Sequence, residues 1–414
     1  MQIRIRKPSP LTLAFIVCGI VWTYLAMTSQ MAIMHDSEGY QKLGYLLQED
    51  GFLAYFKTGP RREPLYPLFI SWCISLSKTL EVSYKSILII GQFLILGITQ
   101  WLIQKALELF QIDQRIQAGI LIYFGLSAAM ITSALRLYSE IVTYPFIVLA
   151  ILLSCWLLGA ITQENNNFKK TILLSIGLGL NFFMLTMAKV AFQAIVPLYG
   201  LLVILCFSTF FKNRNIVKKL ITAIIIAGVC YGLPVHCYKN LNKTYNGQYT
   251  IRGPGGWALY GNTARRMGNL TWNRFIAAAT YGGDGWLCSK ITTPKDCMYW
   301  SYVESDKLGA EKRDELFKQG LEEKAVNKRL VTLSLKKALS NPFQYILLTL
   351  IEGTKMFFWE SFRDGYVIFP KWLHQLSLNR VLEFPFVFIT SILTMLSYAY
   401  SLRYLWKNRK NINR

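Results

Sequence analysis

Apolar stretches close to the thickness of a lipid bilayer recur along this chain, and no other feature constrains its fold as much. Eight are strong: Leu11–Ile33, Ser86–Ile103, Ile116–Leu135, Ile141–Ile161, Thr171–Met187, Val190–Phe211, Val217–His236 and Phe384–Trp406. A helix of about 20 apolar residues crosses the hydrocarbon core. In lipid, backbone polar groups need partners within the chain, which a helix supplies. The expectation is an all-α polytopic membrane protein. Of its 414 residues 53% are hydrophobic and 16% charged, whereas soluble domains carry about 25% charged residues. No small-residue cleavage site follows Ile33, so the first stretch reads as a retained helix and not a removed signal peptide.

Two weaker stretches, Pro64–Leu80 and Phe343–Phe358, need a decision. Lys105 and Arg115 flank one loop, Lys169 and Lys170 mark another, and Lys212, Arg214, Lys218 and Lys219 crowd a third. Arg403, Lys407, Arg409, Lys410 and Arg414 form the tail. If these groups and the basic N-terminus face the cytoplasm, the strong spans alternate correctly. The two weak stretches then start and end outside, as re-entrant or interfacial helices. Cytoplasmic Lys and Arg, and contact with anionic headgroups, also account for the net charge of +22. No aromatic-rich basic module of a nucleic-acid binder occurs.

This topology divides the chain into a transmembrane module (1–236), an extracytoplasmic segment (237–342) and an interfacial helix with a final span (343–414). Tyr245–Thr293 is rich in Gly and aromatic residues and reads as irregular loop with short helices. Glu304–Leu339 places Phe317, Leu321 and Ala325 at helical spacing and reads as an amphipathic helix or pair. Of eight cysteines, Cys288 and Cys297 lie in this polar segment and can pair if it is extracytoplasmic. No CxxC or CxxxH metal spacing is present. Asn242-Lys243-Thr244 and Asn269-Leu270-Thr271 fit the short glycosylation sequon.

Four segments should share the outer face: the loop Met34–Glu63, the turns Arg136–Glu140 and Ala188-Lys189, and the segment 237–342. Charges at a membrane boundary are costly and mark candidate function. Asp36 and Glu38 open the first loop; either a carboxylate faces a site, or Asp36 or Ser37 caps the next helix. Arg61 and Arg62 precede Glu63-Pro64; they can clamp a phosphate or simply snorkel to headgroups. Arg136, Glu140 and Lys189 add both signs from separate turns. His35, His236 and His374 are scattered and suggest a metal site only weakly. No nucleotide-binding glycine loop, GxSxG or HExxH occurs, which argues against ATP hydrolysis and zinc proteolysis.

An outer-loop Asp followed by an acidic residue and Tyr, a Pro-Leu-Tyr-Pro re-entry (Pro64–Pro67) and a Ser-Glu opening a later span (Ser139-Glu140) resemble the GT-C superfamily of glycosyltransferases. Protein O-mannosyltransferases and the lipid A aminoarabinose transferase are similar in style. The resemblance covers about Met1–Phe211, with Ala338–Phe358 resembling the closing interfacial helix. It implies a bundle of about 8–10 transmembrane helices with an extracytoplasmic insertion. It further implies sugar transfer from a polyprenyl-phosphate donor to a glycan, lipid or protein acceptor at the outer face of a bacterial inner membrane. Asp36, with Glu38 beside it, matches the catalytic acidic position, and Glu140 the second acidic one. Arg61 or Arg62 matches the phosphate ligand, although Glu63 directly precedes Pro64. Lys189 resembles a later basic residue, and Arg136 joins it as a phosphate-facing cation. The scheme needs no cofactor or metal and no nucleic acid. Rival readings are an O-antigen ligase or polymerase, which uses a lipid-diphosphate donor, and a lipid-linked-sugar transporter or flippase. A carrier should show broken helices with charges near mid-bilayer.

Overall fold

A computed structural model describes residues 9–162, 168–207, 213–253, 255–281, 285–355, 366–377 and seven positions between 389 and 403. The described chain is helical except for one two-stranded pair. It divides into two compact units. One holds the described residues of 9–253 with 366–374; the other holds 255–355, 375–377 and the described positions between 389 and 403.

The first unit runs α1 (Pro10–Thr28), β1 (Gln30–Met31), α2 (Asp36–Glu49), α3 (Gly51–Lys57), α4 (Leu65–Leu80) and α5 (Tyr84–Leu109). Then come α6 (Gln114–Leu126), α7 (Ala128–Leu135), α8 (Glu140–Thr162), α9 (Phe168–Ala188), α10 (Phe192–Phe207) and α11 (Arg214–Asn246). Five of these, α1, α5, α8, α9 and α11, are long and apolar enough to cross a membrane, and the α6–α7 pair makes up to six. The chain is thus a helical membrane protein of several spans. The final stretch, Phe384–Trp406, lies outside the described residues apart from isolated positions.

The expected single span Ile116–Leu135 is instead two helices bent by 46° at Ser127. Gly125 O is engaged there by the buried Trp22 indole N–H of α1 at 2.7 Å, and Leu121 O by the Gln100 amide at 3.0 Å. Side chains from two neighbouring helices thus supply donors to carbonyls beside the break, the usual condition for a bend inside lipid. The expected span at Val190–Phe211 is helical as α10 from Phe192 to Phe207, and its last four residues lie outside the described residues. The expected end of the seventh span at His236 is passed by ten residues, because α11 runs on to Asn246. Its extra turns bury Tyr238 and Asn242, and Asn246 donates to Phe56 O of α3. Asn242 also donates to Thr250 O, so this sequon asparagine is buried in the fold.

Helices α9 and α11 approach closely at Gly179. A Cβ there would lie 2.5 Å from Ala227 O, a backbone atom. Gly179→Ala is expected to destabilise the protein by about 1–3 kcal/mol through forced separation of the two helices. A lowered thermal midpoint of the detergent-solubilised protein checks this.

The second unit packs α12 (Gly256–Arg266) against α16 (Tyr302–Lys318) and α17 (Glu323–Ser340). The last two are the pair expected for Glu304–Leu339. Their buried stripe is Leu316, Val326 and Leu330, with Leu321 partly buried, whereas Phe317 and Ala325 face outward. The stripe is shifted because a turn at Gly320 separates the helices, so spacing does not carry across it. Gly261 lets α12 touch α16: a Cβ would meet Ser305 O. Three short helices, α13 (Trp272–Thr280), α14 (Trp286–Ile291) and α15 (Pro294–Tyr299), surround a Cys288–Cys297 disulfide with Cα atoms 5.8 Å apart. Its half-cystines are buried with Ala277, Trp300 and Leu348. The last of these lies on α18 (Pro342–Lys355); the end of the expected stretch Phe343–Phe358 lies outside the described residues. Glu352 on α18 bonds both Arg265 and Arg266 of α12. The chain rejoins the first unit through β2 (Val367–Ile368), which pairs antiparallel with β1, and the start of α19 (Lys371–Ser377), up to His374.

Candidate active site

One end of the first unit gathers the α1–α2 turn, the start of α4, the α7–α8 turn and the α9–α10 turn. Two buried tyrosines stitch them together. Tyr40 of α2 shares a hydrogen bond of 2.9 Å with Ser139. Tyr66 of α4 donates to Gln92 of α5, whose amide donates to the carbonyls of Ala134 and Arg136. The two rings meet edge to face at 5.3 Å. Every polar tip in this stack thus has a partner, as burial demands.

The candidate charges ring that platform. Arg62 donates to Asp36 at 2.5 Å and lies over the Tyr40 ring at 4.9 Å. Lys189 donates to Glu140 Oε1 at 2.9 Å. Arg136 lies over Tyr138 at 5.0 Å, and the Tyr138 ring is 6.5 Å from Tyr40. Five of the seven residues singled out in the sequence are therefore set round one aromatic cluster. Glu38 and Arg61 are exposed and make no ion pair among the described residues. Two residues from Asp36 along a helix, Glu38 must point elsewhere.

Neither Asp36 nor Ser37 caps α2. The N-cap is His35, which makes no side-chain cap bond. Ser37 instead bonds Met34, with its hydroxyl on both N and O at 2.7 Å. The Asp36 carboxylate turns to Arg62, and it remains half exposed, at 55%.

Glu63 was legible only as an oddity before Pro64. Its side chain is 1% exposed, accepts the Val190 N–H at 3.0 Å and lies 3.7 Å from Arg252. It fastens the start of α4 to the turn that presents Lys189. Burial disfavours charge on Lys189, but Glu140, Tyr40 and Glu63 outweigh it and raise the pKa of this ammonium. Burial chiefly raises the Tyr40 pKa, so its phenol stays protonated.

Three buried polar atoms here lack a hydrogen-bond partner: Glu63 Oε2, Glu140 Oε2 and Arg136 Nε. Such groups are few in folded proteins and call for an explanation, an absent ligand or water among them. Among the described residues no group of three His, Cys, Asp or Glu could hold a metal. His236 bonds Tyr249 and Asn240.

An apolar cavity of about 260 Å³ lies between α8, α9, α10 and α11, lined by Leu157, Phe182, Tyr199, Ala223, Gly228 and Tyr231 among others. The helices and the clustered charges define a class, a multi-pass membrane protein with a polar site at one end of its bundle. No family model, curated protein or solved structure matches the chain.

Proposed function

We propose that this protein is a GT-C-like glycosyltransferase that moves a sugar from a polyprenyl-phosphate donor to an acceptor hydroxyl on the extracytoplasmic face. The observation that carries the reading is the joint placement of a half-exposed Asp36, Arg62 and an Arg136 whose buried Nε lacks a partner. Anion-binding donors and a potential base thus border one tyrosine platform. The ends of the helices remote from it hold Lys105, Arg115, Lys169, Lys170, Lys218 and Lys219. The positive-inside tendency then favours an outer position for the site. A disulfide in the segment after α11 suits an oxidising compartment and supports the same orientation.

In the proposed reaction the donor phosphate sits between Arg62 and Arg136. Its arrival would draw Arg62 from Asp36 and free the carboxylate. Asp36 takes the proton of the acceptor hydroxyl. The acceptor oxygen bonds to the anomeric carbon as the bond from that carbon to the phosphate oxygen breaks. The electron pair leaves with polyprenyl phosphate, whose charge the guanidiniums stabilise. Glu140, held by Lys189, orients the acceptor or the sugar, and Tyr40 stays neutral beneath.

The cavity between α8 and α11 suits a lipid chain. A Cβ at Gly228 would meet nothing within 4 Å, so a bulky side chain can enter there. Gly228→Trp is expected to raise the donor KM about tenfold, a cost near 1.4 kcal/mol, with kcat little changed. Steady-state kinetics with varied donor length check it.

The bend at Ser127 invites the carrier reading. However, the donors at the break, Trp22 and Gln100, are engaged by the carbonyls of Gly125 and Leu121, and the flanking residues Leu126 and Ala128 carry no charge, whereas a transporter's broken helix should bring charges to the break. The deciding experiment is reconstitution in vesicles with labelled polyprenyl-phosphate sugar, lipid-diphosphate oligosaccharide and acceptor. Transfer from the monophosphate supports the proposal. Transfer only from the diphosphate, or movement of donor across the bilayer without transfer, replaces it.

A further inference from the structure

The strand pair β1–β2 lies immediately before the strained turn that presents Asp36. Gln30 pairs with Ile368 and Met31 with Val367, and Ala32 donates to Tyr366 O at 3.1 Å. Three residues on, His35 has φ 50° and ψ −120°, a backbone state that costs a non-glycine residue about 1–3 kcal/mol. Such strain persists only where its surroundings over-determine it. Here the surroundings are the doubly bonded Ser37, the strand pair and the Tyr366 ring. That ring sits 6.2 Å from His35 and meets Tyr138 edge to face at 5.3 Å. Beyond it, Val367 and Phe369 are buried, and the Trp372 indole donates to Tyr24 of α1 at 2.7 Å. A segment distant in sequence is thus fastened on both sides of the candidate base's turn.

The geometry points to Tyr366–Ile368 as a positioning element: the strand holds the His35 turn, and the Tyr366 ring keeps Asp36 aimed across the tyrosine platform. This rests on the transfer reading for its catalytic consequence, but its structural half stands without it. Loosening the strand lets His35 relax out of positive φ, and Asp36 leaves its place beside Arg62.

The test uses the full chain in nanodiscs, with Ala32→Pro, Tyr366→Ala, Tyr366→Phe and the double variant Gln30→Cys/Ile368→Cys. Ala32→Pro removes the N–H that Tyr366 O accepts. Gln30 and Ile368 are both exposed and directly opposed, within the Cα spacing that a disulfide accepts. Amide exchange over residues 34–38 and transfer kinetics are measured. Ala32→Pro and Tyr366→Ala should speed that exchange about tenfold, which corresponds to roughly 1.4 kcal/mol of lost local stability. They should lower kcat about 10- to 100-fold with donor KM nearly constant. Tyr366→Phe should restore both, and the oxidised double cysteine should keep wild-type kcat. Unchanged exchange in both variants, or faster exchange with wild-type kcat, overturns the proposal. So does failure of the cysteines to cross-link, even where Ala32→Pro does not fold. If wild type transfers no sugar while exchange responds as stated, the transfer reading falls and the structural hold is supported.

Discussion

Asp36→Asn should lower kcat for sugar transfer by about 100- to 10,000-fold, the range that removal of a general base spans. Asparagine keeps the size of the side chain and can still meet Arg62, so the fold and the donor KM should stay close to wild type. Asn has no basic oxygen at neutral pH, so the acceptor proton has nowhere to go as the new bond forms. Steady-state kinetics with a thermal melt alongside separate the two effects. A stable Asp36→Asn protein with wild-type turnover would remove Asp36 from the base role. Glu38 is exposed and unpaired among the described residues, and Glu38→Gln should cost little beside it.

Arg62→Ala should lower kcat by about 100- to 1,000-fold, roughly 3–4 kcal/mol of transition-state stabilisation. The guanidinium serves twice, holding Asp36 in the resting site and receiving charge from the departing phosphate. Both roles depend on its planar fork, so Arg62→Lys should rescue little. The loss also bares one face of Tyr40. A double-mutant cycle of Asp36→Asn and Arg62→Ala should be strongly non-additive, because the two side chains act as one unit.

Five spans, six with the bent α6–α7 pair, were legible because uninterrupted apolar runs of this length admit one solution in lipid. Their ends were less so. The α6–α7 bend depends on donors from Trp22 and Gln100, which no local pattern announces. Helix α11 outruns its apolar stretch because tertiary contacts of Tyr238, Asn242 and Asn246 replace lipid as the partner of its last turns. At the site, Asp36, Arg62, Arg136, Glu140 and Lys189 stood out because charges at helix ends are few. Which of two adjacent candidates turns inward was not legible from composition. Helix geometry separates Asp36 from Glu38, and Tyr55, whose hydroxyl donates to Arg62 O, helps fix the turn in which Arg62 and not Arg61 faces Asp36. Glu63 carried a signal of its own. A carboxylate wedged before a helix-starting proline at a membrane boundary is hard to bury without a defined partner, and Val190 N–H is that partner. Tyr366 carried none, since a two-residue strand has no periodicity to detect.

The pairing of Gln30–Met31 with Val367–Ile368 also sets a timetable. During synthesis the mate of the first strand follows it only after the intervening residues, 32 to 366, have been made. At about 5–20 residues per second this wait is on the order of tens of seconds. The early helices must enter the bilayer and pack with the His35 turn still unfastened. Nascent chains arrested before residue 366 should therefore already be inserted yet incompetent, so that emergence of this second strand acts as a late step of maturation.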